Sequence, residues 1–387
     1  MTLAELVASH RIVISAGSGG VGKTTVAASV ALWGALQGRR TVVITIDPAR
    51  RLASSMGLAA LGSEVSEIPA SILAAQGLEP RGTLAALMLD QKGAWDALVE
   101  RHAPAEARER ILKNRFYQHL SQAFAGSHEY MAIEQLCVLA ESGEWDLIVV
   151  DTPPTRHALD FLEAPRRLDD FLDRSVIRWF VRPYFSAGWA ALQAVNRTAT
   201  FILRRLEQAT GVGALAEISD FFNSMSGLFE NFHARVARAY EVLRGPETAF
   251  VLVSSPEEQV LGDAEYLCAK MNELAMPLRG VVFNRVHREI TRTPRRGSVH
   301  EVDAGDIVQI AGAIGRVLKG EPRLARELAQ NFLDYEVLAR GEQLRMEQFE
   351  VGLTEGVPVA RVPNFPRDVH DLRALARMHE HLFAAVA

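Results

Sequence analysis

The stretch Ile12-Val13-Ile14-Ser15-Ala16-Gly17-Ser18-Gly19-Gly20-Val21-Gly22-Lys23-Thr24-Thr25 decides the fold. A short apolar run passes through a glycine-rich turn into Val26-Ala27-Ala28-Ser29-Val30-Ala31-Leu32, a helical pattern. That order reads as strand, phosphate loop, helix. Gly17, Gly22, Lys23 and Thr24 fit the spacing G-x-x-x-x-G-K-[ST]. The glycines let main-chain N–H groups converge on phosphate oxygens without a Cβ in the way. The helix that follows adds its positive N-terminal end. Residues Gly17, Ser18, Gly19, Gly20, Val21, Gly22, Lys23, Thr24 and Thr25 are thus expected to bind a nucleotide. Lys23 would reach the β- and γ-phosphates and Thr24 would ligate Mg²⁺.

The same letters also contain Gly17-x-Gly19-x-x-Gly22, the dinucleotide fingerprint, and the next apolar run, Thr41 to Ile46, leads to an acid, Asp47. The glycines alone do not separate the two readings. Lys23-Thr24 does, because a dinucleotide turn has no use for a lysine and a hydroxyl there. A second acid after an apolar run, Leu147-Ile148-Val149-Val150-Asp151, fits the position that completes Mg²⁺ binding. The expected cofactors are ATP and Mg²⁺, with Thr24, Asp47 and Asp151 as the metal residues.

Outward from the loop, Asp47 is followed by Pro48-Ala49-Arg50-Arg51. An acid at a strand's carboxyl end beside a phosphate loop can orient water or Mg²⁺; it can equally cap a short helix. With Lys23 upstream, the catalytic reading is preferred, and the expected catalytic pair is Lys23 and Asp47. After Asp151 come Thr152-Pro153-Pro154-Thr155-Arg156-His157. Two prolines and two threonines make a defined loop where a γ-phosphate would sit. Asp151, Thr152, Pro153, Pro154 and Thr155 are read as a switch that a triphosphate orders. His157 reads either as a base or as a packing residue.

Further along, Leu84–Asp90 reads as a strand, and helical spacing holds over most of 93–139 and 166–244. The two stretches are expected to form a helical subdomain of about 91–142 and 166–244 within one domain spanning 1–387. Phe221, Phe222, Met225, Phe229 and Phe232 repeat at helical spacing, as core or as an exposed groove. Strands are expected at Ala249–Val253, Leu278–Phe283 and Val357–Val362, with a helix from Glu257 to Leu274 and a closing helix from Val369. Residues 292–306 read as a loop. The fold class is α/β: a doubly wound, mostly parallel sheet with an inserted helical subdomain, and its ligand crevice lies at the strands' carboxyl ends.

The chain has 387 residues and 48% hydrophobic residues, enough for a large core. A net charge of −5 argues against nucleic acid as partner. Two cysteines, Cys137 and Cys268, suit a reducing cytoplasm and leave no C-x-x-C pair. No signal peptide and no spanning run are read, so membrane association is expected to be at most transient.

Taken together, Gly17–Thr25, Asp47-Pro48-Ala49, Asp151-Thr152-x-Pro154-Thr155, Phe161-Leu162-x-x-Pro165 and Asn284 resemble the arsenite-pump ATPase (ArsA)-like family. That family includes the ATPase that guides tail-anchored membrane proteins. The motifs run in family order, and Ile46-Asp47-Pro48-Ala49 with Glu129-Tyr130-Met131-Ala132 looks like the bacterial branch. The resemblance implies a phosphate-loop ATPase working as a homodimer or as a heterodimer with a related ATPase. Its helical subdomains would handle a hydrophobic client polypeptide. It also implies that Asp47 positions the attacking water and that Asn284, with Arg285 beside it, holds adenine. The loop from Pro363 to Phe365 would cover the other side of the base. Three departures stand out. Ser18 occupies the position of a lysine that reaches the partner's phosphates. Arg156 replaces a switch glycine. The paired cysteines of the metalloid-binding and zinc-binding members have no counterpart. Energising an anion efflux pump and positioning or partitioning a cargo are the rival functions.

Overall fold

The structure is a computed structural model, and it describes residues 1–46, 51–58, 61–123, 127–153, 161, 163–164, 166, 234–290, 304–318 and 322–384. Asp47, Pro154, Thr155, Arg156 and His157 lie outside the described residues, as does most of 166–244 with its phenylalanines.

Eight strands form one sheet in the order β3-β4-β2-β5-β1-β6-β7-β8. They are β1 (Ile12–Ala16), β2 (Thr41–Thr45), β3 (Ser66–Glu67), β4 (Leu84–Met88), β5 (Leu147–Asp151), β6 (Thr248–Ser254), β7 (Leu278–Val286) and β8 (Val359–Pro363). All neighbours pair in parallel except the short edge strand β3, which runs antiparallel to β4. The phosphate-loop strand β1 sits between β5 and β6, with chain crossing in opposite directions on its two sides. That is the topological switch point, where a crevice opens at the carboxyl ends.

Every residue of β1, β2, β5 and β6 is buried. Strands covered on both faces need apolar residues at every position, and period-two alternation then deals them into two cores. Ile12, Ile14, Val42, Ile44, Ile148, Val150, Phe250 and Leu252 face one core; Val13, Val43, Val149, Val251 and Val253 face the other.

The first core is covered by α5 (Gln91–His102), α8 (Ser127–Ser142), α9 (Glu258–Glu273) and α11 (Pro322–Val351), through Trp95, Ile133, Leu267 and Phe349 among others. α6 (Ala105–Lys113) and α7 (Arg115–Ala123) add Ile111 and Tyr117 to the same cluster. The second core is covered by α1 (Leu3–Ser9), α2 (Lys23–Leu36), α3 (Arg51–Ser55) and α12 (Leu372–Leu382). α2 is buried nearly all round, since α12 closes over it; Ser29 Oγ donates to Leu375 O at 3.0 Å. α4 (Ala70–Ala75) follows β3, α10 (Ala304–Leu318) precedes α11, and residues 234–244 are also helical. No helix among the described residues is long and apolar enough to cross a membrane.

Several boundaries differ from the sequence reading, among them that of β7, which runs past Phe283 to Val286. β4 stops at Met88, and Asp90 caps α5 by accepting from the Lys92 N–H. α10 starts at Ala304, inside the stretch read as a loop. α12 starts at Leu372, because Asp371 accepts from the Ala374 N–H at 2.7 Å and sets the first turn. β8 starts at Val359, two residues later than read. α1 was not anticipated, although Thr2 and Glu5 form a complete capping box.

Candidate active site

Residues 17–22 turn from the end of β1 into the N-terminus of α2. Two glycines set this path. Gly17 has φ +152°, and a Cβ there would lie 2.0 Å from the carbonyl oxygen of Val253 on β6. Gly22 takes the left-handed N-cap position at φ +95°, and a Cβ there would lie 2.3 Å from Asn284 Nδ2. Both positions combine positive φ with a near main-chain or side-chain neighbour, so only glycine fits.

The loop is tied from three sides. Lys23 is buried, and its Nζ donates to Ser18 O at 2.8 Å, bridging the loop's two ends. Asn284 Nδ2 donates to Val21 O at 2.8 Å from β7. Ser18 Oγ donates to Asp263 Oδ2 at 3.1 Å on α9. The position where the resembled family carries a lysine is thus held by an acid of the same chain.

Beside the loop, β5 ends in Asp151, 1% exposed. Its Oδ2 accepts from Thr45 Oγ1 on β2 at 3.0 Å. Thr152 Oγ1 donates to Ser15 O at 2.6 Å, and Ser15 Oγ donates to Val150 O at 3.1 Å. These side-chain bonds stitch β2, β5 and β1 together at their carboxyl ends and hold the start of the expected switch in place.

At the far end, β7 carries a bulge. Phe283 pairs with Arg361 and Val286 with Pro363, so β7 uses one residue more than β8 over that interval. The extra residue is accommodated at Arg285, whose φ of +61° is unusual for a side chain of that size. The bulge keeps both Phe283 and Val286 in the first core while Asn284 meets the phosphate loop and Arg285 faces outward.

A cleft of about 440 Å³ joins the two ends. Gly20, Gly22, Lys23, Thr24, Thr25, Thr152 and Pro153 line it on the loop side. Asn284, Arg285, Pro363, Asn364 and Phe365 line the other side. Gly17, Ser18, Gly19 and Val21 are not among its lining residues. Ser54, Ser55, Arg367, Asp368, Val369, His370 and Met378 also line the cleft and were not singled out from sequence. The signal available for part of them was the loop Pro363-Asn364-Phe365-Pro366-Arg367 following the last apolar run. Lys23, Arg285 and Arg367 against Asp368 give the lining a cationic balance suited to a polyanion. Thr24 and Asp151 offer hydroxyl and carboxylate oxygens at the carboxyl end of β5 and the start of α2, the hard donors that Mg²⁺ takes.

Cys137 lies buried on α8 and Cys268 half-buried on α9. Burial pushes their thiols up, to about 12 and about 11. Neither is primed as a thiolate.

The sequence profile of the anion-transporting ATPase family matches residues 10–295. The chain is 25% identical over 271 residues to the Paramecium tetraurelia protein named ATPase ASNA1 homolog 1, covering 70% of this chain and 73% of that one. It is 25% identical over 279 residues to ATPase GET3 of Malassezia globosa, covering 72% and 73%. It is 26% identical over 282 residues to ATPase GET3B of Arabidopsis thaliana, covering 70% and 62%. The matched span takes in β1 to β7; β8, the Pro363 loop and α12 lie beyond it.

Proposed function

Since the chain belongs to the anion-transporting ATPase family, and is accordingly an ATP hydrolase, we propose that its turnover depends on Mg²⁺ and opens and closes a dimer that handles a hydrophobic client. One observation carries the reading. The glycine loop with Lys23 and Thr24, the Thr152–Pro153 segment that directly follows the buried Asp151, and the Pro363–Phe365 loop share one cleft, with Lys23, Arg285 and Arg367 as its cations.

In this reading Lys23 exchanges the Ser18 carbonyl for the β- and γ-phosphate oxygens, and the main-chain N–H groups of Gly20 to Thr24 take up the rest of their charge. Thr24 and Asp151 would hold Mg²⁺, which neutralises charge on the phosphates. Asp47 orients the attacking water. Thr152 and Pro153 start the switch that senses the γ-phosphate. Asn284 and Arg285 on one side and Pro363 with Phe365 on the other receive the base. The client belongs to the helical subdomain, and a cytosolic setting follows from the unpaired thiols.

The Ser18–Asp263 bond supports slow hydrolysis by a homodimer. A cation delivered across a dimer accelerates phosphoryl transfer by orders of magnitude, and this loop offers a hydroxyl already held by an acid. Turnover is expected to rise in Ser18→Lys, and further when Asp263→Asn removes the competing anion. The raised thiols oppose the efflux reading: arsenite is expected not to stimulate turnover.

The test is Asp47→Asn in the full chain. It should bind ATP as the wild type does, lose hydrolysis, and retain client polypeptides on purification with Mg²⁺ and ATP. Wild-type turnover in that variant would remove Asp47 from the chemistry. A nucleotide-locked protein that retains no polypeptide would remove the client.

A further inference from the structure

Just past β7, His287 makes two bonds to one carboxylate. Its main-chain N–H donates to Glu342 Oε2 at 2.8 Å, and its ring Nδ1 lies 2.8 Å from Glu342 Oε1. Glu342 sits within α11 and is 4% exposed. A buried carboxylate is costly unless its oxygens are met by donors, so a specific arrangement keeps it there. A carboxylate oxygen facing a ring nitrogen accepts, so Nδ1 carries a proton. The Tyr335 ring packs against the imidazole at 5.6 Å between centroids, with the two planes nearly perpendicular.

The other ring nitrogen points to the cleft loop. His287 Nε2 lies 3.2 Å from Asn364 Nδ2. An amide nitrogen only donates, so Nε2 accepts, in agreement with a proton on Nδ1. The Asn364 main-chain N–H also donates to Val286 O at 2.9 Å. Asn364 is therefore held at its backbone and at its amide nitrogen. Its remaining amide group is an acceptor, Oδ1, on a residue that lines the cleft beside Pro363 and Phe365.

We propose that Asn364 Oδ1 reads the C6 substituent of a bound purine, oriented through His287 by Glu342, so that the cleft selects a 6-amino purine triphosphate over a 6-oxo one. This rests on the nucleotide reading of the cleft. A 6-amino group donates to Oδ1. A 6-oxo group sets acceptor against acceptor and leaves both without a hydrogen. Asn364 touches the base; His287 and Glu342 are positioning residues, since they fix which end of the amide faces the cleft.

The experiment compares equilibrium binding of Mg·ATP and Mg·ITP to the full chain, ITP carrying a 6-oxo group in place of the 6-amino group. The wild type should prefer ATP by roughly tenfold or more, and Asn364→Ala should bring the ratio to within about twofold of one. His287→Ala should lower the ratio, and His287→Gln, which can both donate to Glu342 and accept from Asn364, should restore part of it. A purely structural role for His287 would weaken both nucleotides alike. If His287→Ala does not fold because Glu342 is stranded, the exposed Asn364→Ala decides alone. A wild-type ratio retained in Asn364→Ala overturns the inference. Equal wild-type affinity for both nucleotides overturns it while leaving the ATP site standing, and no binding of either overturns both.

Discussion

The two ends of the cleft are built by different means. The phosphate end is a path of backbone: Gly17 and Gly22 at positive φ, closed by Lys23 on a loop carbonyl. The base end is an arrangement of side chains from distant segments: a bulged β7, the loop after β8, and a carboxylate on α11. The phosphate end lies wholly inside the span matched by the family profile, and half of the base end lies beyond it. The difference teaches that one end is carried by backbone conformation, which few sequences permit. The other end is held by side-chain contacts between distant segments, which many sequences can supply.

The comparison breaks first if the glycine path is dispensable. Gly17→Ala puts a Cβ on the Val253 carbonyl, with no flexible neighbour to yield, and is expected to cost about 3 kcal/mol of stability in urea denaturation. Gly20→Ala is the control. Its φ is +79° but nothing lies within 4 Å of the added Cβ, so only backbone strain of about 1–2 kcal/mol should appear.

Next in size is the cation. Lys23→Ala should lower ATP affinity by about a hundredfold in calorimetry, the value of a hydrogen bond between charged groups. Phe365→Ala should lower ATP affinity by roughly tenfold through lost stacking, yet leave competition by inorganic tripolyphosphate unchanged. A matching loss for tripolyphosphate would mean that the two ends do not act separately. The smallest effect belongs to Ser18, the loop residue held by its side chain to α9. Ser18→Ala should cost about 1 kcal/mol in stability and change ATP affinity less than about twofold.

How much of this was legible follows the same divide. Gly17 to Thr25 could be read outright, because positive-φ glycines at fixed spacing before a lysine have few other uses. The strands could be read too, since all-buried parallel strands leave apolar runs such as Leu147–Val150. Strand and helix ends were harder. Asp90 and Asp371 read as part of their neighbours, although each caps the helix that follows. Asn364, His287 and Glu342 left no local signal. Nothing in Gly341-Glu342-Gln343 says that this acid is buried, because the groups that satisfy it lie more than fifty residues away. The bond made by Asp263 was hidden for the same reason: its partner is Ser18, 245 residues earlier.

The most direct test of the account is phosphate release from ATP by the purified full chain, measured with Mg²⁺, with the metal chelated, and in Lys23→Ala with Mg²⁺. The account predicts release by the wild type with Mg²⁺ alone and loss of it in the other two arms. Hydrolysis that persists in Lys23→Ala, or that survives removal of the metal, would contradict it.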